Sequence, residues 1–152
     1  MRVHKDLDDL DMKILSILMQ DARKSVREIA RELGVSPATV HNRLKRLQQM
    51  GVLKGFMPIV DFSKLGYQVT AVIMVSVEGH RLREFENEMR QIKNVIAIYD
   101  ITGEFDVLLI AKFRDVQALD FFVKDLLERE GIKKTVTHIA FNVVKEDFRV
   151  PL

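Results

Sequence analysis

Residues Ser25 to Gly51, SVREIARELGVSPATVHNRLKRLQQMG, constrain the fold more than any other stretch of the chain. They encode two short amphipathic helices joined by a tight turn at Gly34-Val35. Ser25, followed three residues later by Glu28, forms a capping box, in which hydroxyl and carboxylate each satisfy a backbone N–H orphaned at the helix start. Val26, Ile29, Ala30 and Leu33 recur at helical spacing and share one face. Gly34 stands where a left-handed residue ends a helix. Ser36 caps the second helix, with Pro37 in its first turn, where the missing N–H costs nothing.

The second helix sorts its residues by face. At about 100° per residue, Val40, Leu44 and Leu47 form the buried stripe. Ala38, Asn42, Lys45 and Gln49 point the opposite way. Thr39 and Arg46 share one flank, Arg43 lies nearer the core edge, and His41 is on the other flank. In a helix-turn-helix the second helix enters the DNA major groove. There small residues permit close approach, Asn matches adenine, Arg matches guanine, and Lys or Ser grips phosphate. Ser36, Ala38, Thr39, His41, Asn42, Arg43, Lys45 and Arg46 are therefore the candidate DNA-binding residues. A solvated basic helix face has a similar composition, but the capped turn ahead of it favours DNA. Charge agrees: residues 22–55 hold eight Lys/Arg against two acids, a net +6 within a chain whose formal total is +2. A basic patch on a near-neutral protein is the footprint of phosphate contact.

Upstream, Leu7 to Gln20 reads as a helix with Leu7, Leu10, Ile14, Leu15 and Leu18 on one face. Asp6, Asp8, Asp9 and Asp11 favour its N-terminal turn, so they read as helix-start chemistry rather than a metal or acid–base site. With no cysteine, the chain has no disulfide framework, thiolate metal site or cysteine nucleophile. No apolar run approaches the roughly 20 residues of a membrane span. The polar, acidic N-terminus is not a signal peptide, and a cytoplasmic location is expected.

After Gly51 the pattern changes. Residues 52–60 hold apolar and β-branched residues with Gly55 and Pro58, as in an extended connector or edge strand. The expected division is 1–51 for the helix-turn-helix, 52–62 for the connector and 63–152 for a second domain. That domain reads as strand 67–78, helix 81–92, strands 95–101 and 105–113 about a turn at Thr102-Gly103-Glu104, helix 116–129 and strand 135–144. The order β-α-β-β-α-β is a ferredoxin-like unit, so the fold class is α+β. Both helices then cover one face of a four-stranded antiparallel sheet. The other face should be polar in a monomer, yet Val72, Met74, Leu108 and Ile110 point there. A second copy of the sheet is the economical cover, giving a two-fold dimer whose reading helices address two half-sites.

Over nearly its whole length the chain resembles the Lrp/AsnC, or feast/famine, transcription regulators. The matching residues run from Leu7-Asp8, Asp11 and Ile14-Leu15, through Asp21-Ala22-Arg23, to Ile29-Ala30, Leu33-Gly34-Val35-Ser36, Thr39-Val40, Arg43, Leu47 and Gly51-Val52-Leu53. The second half adds Leu65-Gly66-Tyr67, Thr102-Gly103-Glu104-Phe105-Asp106, Thr135-Val136-Thr137 and Val150-Pro151-Leu152. The resemblance implies a regulator of amino-acid or energy metabolism genes that dimerises through the sheet, assembles further into octamers or discs, and binds a free amino acid as effector, with no other cofactor. It places that effector at Thr102, Gly103, Glu104, Asp106, Thr135 and Thr137, with the loop Glu78-Gly79-His80 beside them. Turn N–H groups can hold a carboxylate, and Asp106 and the threonines can serve an ammonium. Read from spacing alone, Gly103 and Asp106 are equally ordinary turn residues and the threonines ordinary strand residues.

Two other classes share this architecture. A nucleoid-type architectural protein would bind DNA without sequence preference or effector response. A siroheme-decarboxylase-like enzyme would need His or Arg gathered in a pocket. Here His4, His41, His80 and His138 are scattered and lack metal-ligand spacing, so no catalytic or metal-binding residue is expected.

Overall fold

The computed structural model describes residues 7–150 and 152. His4, Asp6 and Pro151, which the sequence reading used, lie outside them. The chain forms two compact units: one runs to Ile59 and takes in the segment from Asp147 onward, and the other is Val60–Glu146.

The first unit holds α1 (Asp9–Gln20), α2 (Val26–Leu33) and α3 (Pro37–Gln49). Each begins with a side-chain cap. Asp8 with Asp11, and Ser25 with Glu28, form reciprocal capping boxes, while Ser36 Oγ accepts from the Thr39 amide at 3.1 Å. Gly34 ends α2 at φ 67°, the left-handed turn that the sequence indicates. Ile14, Ile17, Leu18, Ile29, Ala30 and Val40 make the core. Ile17, rather than the expected Leu15, is the buried partner of Leu18 on α1.

In the second unit, β1 (Val69–Val77), α4 (Leu82–Gln91), β2 (Val95–Asp100), β3 (Val107–Phe113), α5 (Val116–Glu128) and β4 (Ile132–Ile139) follow the βαββαβ order. The antiparallel sheet is ordered β2-β3-β1-β4. Val69, Ala71, Ile73, Val75 and Val77 alternate inward along β1 and pack with Val107, Leu109 and Ala111 of β3, Phe85 and Met89 of α4, and Leu119 and Leu126 of α5.

One segment takes the first of its two expected forms, and another differs from expectation. Residues 52–60 pair with no strand, and Phe56, Met57 and Ile59 are exposed. This is connector rather than edge strand, because an extended segment becomes a strand only against a hydrogen-bonding neighbour. The last strand starts earlier than expected, Ile132 pairing with Val77, and ends at Ile139 rather than Val144. Its neighbour β1 begins at Val69, so after Ala140 donates to the Thr70 carbonyl nothing remains to pair with.

The open sheet face is apolar in its middle. Directly opposed residues of antiparallel strands share a face, which groups Val72 with Ile110 and His138, and Met74 with Leu108 and Val136. At one end of that face stands Lys112, only 4% exposed. Its ammonium reaches Glu146 (2.9 Å) and Thr70 Oγ1 (3.0 Å) and lies 5.4 Å from the centre of the Phe62 ring.

Candidate functional site

The eight residues assigned to DNA divide into three groups. Ala38, His41, Asn42 and Lys45 are exposed on α3. Gln48 and Gln49 are exposed as well; the first of these sequence reasoning left out, although amide side chains on a reading helix are ordinary base or phosphate contacts. Ser36 and Thr39 hold the helix start. Their hydroxyls lie 2.8 Å apart, and Ser36 Oγ also accepts from the Thr39 amide.

Arg43 and Arg46 form the third group. Arg43 Nη1 donates to Asp8 Oδ2 (2.5 Å) and to both Asp11 oxygens (3.2 and 3.3 Å), while Arg46 Nη1 donates to Asp11 Oδ2 (3.0 Å). The Asp11 side chain is 0% exposed. The aspartates do start α1, as expected: Asp8 is its N-cap and Asp11 the third residue of its capping box. They also bind the reading helix, which sequence reasoning did not foresee. The Asp11 amide, and next the Arg43 guanidinium, hold the Asp8 carboxyl below its ordinary pKa. α2 adds exposed Arg27 and Arg31 to the basic surface.

The six residues assigned to an effector are not gathered on one face. The turn is present, with Gly103 at φ 119° and the Ile101 amide donating to the Asp106 carbonyl at 3.0 Å. Asp106 is already engaged: Oδ2 accepts from the Val77 amide (2.8 Å) and from Ser76 Oγ (3.1 Å), where β1 runs opposite the extra residue Lys133 of β4. Glu104 pairs with Lys134 at 2.5 Å, and that ammonium lies 5.0 Å from the centre of the Phe105 ring. Lys134 opposes Ser76, so these groups belong to the open face. Thr135 and Thr137 oppose Val75 and Ile73, whose side chains are buried in the helix-covered core. The threonines therefore look into the helix side. Thr102 and Gly103 are exposed at the turn, and Thr137 Oγ1 is buried without a hydrogen-bond partner. In the neighbouring loop Glu78 lies 3.7 Å from His80 Nε2.

Among the described residues no group of three or more His, Cys, Asp or Glu could hold a metal ion. No helix among them is long and apolar enough to cross a membrane.

The chain joins a capped helix-turn-helix unit, the type of module that carries DNA binding, to a separate ferredoxin-like unit. Residues 7–48 match the AsnC-type helix-turn-helix domain, and residues 70–150 match the Lrp/AsnC ligand binding domain. The chain belongs to the Lrp/AsnC family of transcriptional regulators. It is 47% identical to a helix-turn-helix transcriptional regulator of Pyrococcus furiosus, covering 95% of this chain and 98% of that one. It is 35% identical to the regulator Ptr1 of Methanocaldococcus jannaschii, covering 96% and 99%. Among solved structures, it superposes on a Neisseria meningitidis transcriptional regulator in complex with L-Met with a TM-score of 0.85 at 28% identity, covering 95% and 96%. The match to AsnC of E. coli has a TM-score of 0.82 at 26% identity, covering 93% and 96%.

Proposed function

We propose that this chain is a sequence-specific regulator of amino-acid or energy metabolism genes, acting in the cytoplasm on nucleoid DNA without catalysing a reaction. The observation that carries the reading is α3: a firmly capped helix whose exposed face presents Ala38, His41, Asn42 and Lys45. Asn42 is the candidate base reader and Lys45 the phosphate contact. The chain works as a homodimer through the apolar middle of the open sheet face, and dimers assemble further, toward an octamer. Dimerisation sets two α3 helices at half-sites about 34 Å apart or a multiple of that.

The second unit senses a free amino acid. The related Neisseria protein was captured with L-Met, which supports this ligand class. A ligand at the turn would bring its carboxylate to the amides around Gly103 and its ammonium to Glu104, in exchange for Lys134. Asp106 serves as the scaffold of that end, since its carboxylate already binds Val77 and Ser76. Thr135 and Thr137 join from the other face only if the ligand lies across the sheet end or between two copies. Ligand binding that favours one assembly state shifts DNA affinity by linkage.

The test is fluorescence anisotropy on the protein's own upstream DNA and a scrambled duplex, across a salt series, with and without pooled amino acids. Sequence-preferring, salt-steep binding that the pool alters is expected. Equal binding to both duplexes would replace this reading with the architectural one. Asn42→Ala should relax base preference by about 1–3 kcal/mol, whereas Lys45→Ala should weaken both duplexes alike and reduce the salt slope by about 1.

A further inference from the structure

The clamp between α1 and α3 does more than hold two helices together. Arg43, Lys45 and Arg46 give α3 three positive charges. Two of them, both partly exposed, are paired within the chain, because Asp8 and Asp11 accept from both guanidinium groups. Stability alone is a weak account of this cluster. Replacing a buried ion pair by apolar side chains of similar volume is often neutral or stabilising. A carboxylate is also the same kind of partner that a DNA phosphate would be: an anionic pair of oxygens facing an arginine fork.

We propose that Asp11, aided by Asp8, is a specificity-determining residue that acts through Arg43 and Arg46, keeping them from the DNA backbone. The proposal rests on the DNA-binding reading above. Phosphate contacts raise affinity for every sequence equally, whereas base contacts discriminate. Two captive arginines leave Lys45 and the exposed amides of α3 as its free contacts. Affinity for random DNA stays low, and the specificity ratio is correspondingly high. Asp11 is a positioning residue in this scheme and touches no nucleotide.

The experiment compares the full-length protein with Asp11→Asn and Asp8→Asn on the upstream duplex and on a scrambled duplex, across a salt series. Asparagine keeps an oxygen for the capping amides and removes the charge that holds the arginines. The Asp11→Asn protein should bind scrambled DNA several-fold more tightly at low salt. Its log–log salt slope should steepen by about 1–2, since each added phosphate contact contributes about 0.9. The ratio of upstream to scrambled affinity should fall. Asp8 is half exposed and Asn is a good N-cap, so Asp8→Asn keeps the test open if the buried substitution prevents folding; its slope should steepen by about 1. Weaker binding to both duplexes at an unchanged slope would overturn the proposal and leave Asp11 a purely structural residue. If the unaltered protein binds neither duplex at low salt, the DNA reading fails with it. If the unaltered protein binds but the variants show no slope change, only the clamp proposal fails.

Discussion

Among the described residues each unit buries one charged side chain, and the two are handled differently. Asp11 in the first unit is surrounded by two arginines and an N-cap amide. Lys112 in the second has one carboxylate, one hydroxyl and one aromatic ring. Asp11's partners all come from short-range helix geometry and a single facing helix. Those of Lys112 come from β1, from the start of the unit at Phe62 and from its end at Glu146. The first charge ties α1 to α3. The second ties down the unit's chain ends over its open sheet face. A buried charge is satisfied wherever counter-groups can be brought, and what it then fixes depends on which elements bring them.

The largest effect should come from Glu146→Ala, which leaves Lys112 buried and unpaired. Breaking such a pair costs about 3 kcal/mol or more, measured as a lower denaturant midpoint for the second unit. Lys112→Met should cost much less, about 1 kcal/mol, since Glu146 is partly exposed and can turn to water. Equal losses from the two substitutions would mean that the burial of Lys112 does not set the cost of breaking the pair. Asp11→Ala should destabilise the first unit by about 2 kcal/mol, because Arg43 and Arg46 are partly exposed and recover water.

Acid separates the units more gently. Besides Asp8, the carboxyls of Asp21 and Glu28 lie below their ordinary values, held chiefly by the backbone amides of Arg23 and Ser25. In the second unit Asp61 is held low, first by the Ser63 hydroxyl. Depressed carboxyls stabilise fully above the unfolded values of about 4 and lose that contribution as pH falls through the lower folded values. Amide NMR signals of α1–α3 should therefore fade before those of β1–β4 in an acid titration; simultaneous loss would refute the comparison. Smallest are the local substitutions. Ser25→Ala should cost about 1 kcal/mol through its cap. Gly34→Ala should cost about 1 kcal/mol through left-handed strain, since nothing crowds the added methyl.

The elements were legible because their signals are local. Capping boxes at Ser25, a glycine at 34 and period-two runs in β1 and β3 need no partner to be recognised. What escaped depends on facing elements. Asp11 looked like one of several helix-start acids, and only the position of α3 shows it buried under two arginines. That Arg43 and Arg46 pair with Asp8 and Asp11 was hidden for the same reason. Thr135 and Thr137 sit two apart and so share a face, but which face depends on their register with Val75 and Ile73. Lys112 offered a readable sign, falling in step with Leu108 and Ile110 on an apolar face. Its partner, Glu146, comes from beyond the last strand, where no periodicity reaches.

The chain crosses between its two units at Ile59/Val60 and again at Glu146/Asp147. In genetic terms the sheet unit is an insertion within the helical one. A stop placed after Glu146 would therefore remove residues of the helical unit while leaving the sheet whole, among them Arg149, whose Nη1 donates to the Met19 carbonyl at the end of α1 at 3.4 Å. Such a truncation is expected to destabilise α1–α3 while leaving the fold of β1–β4 intact.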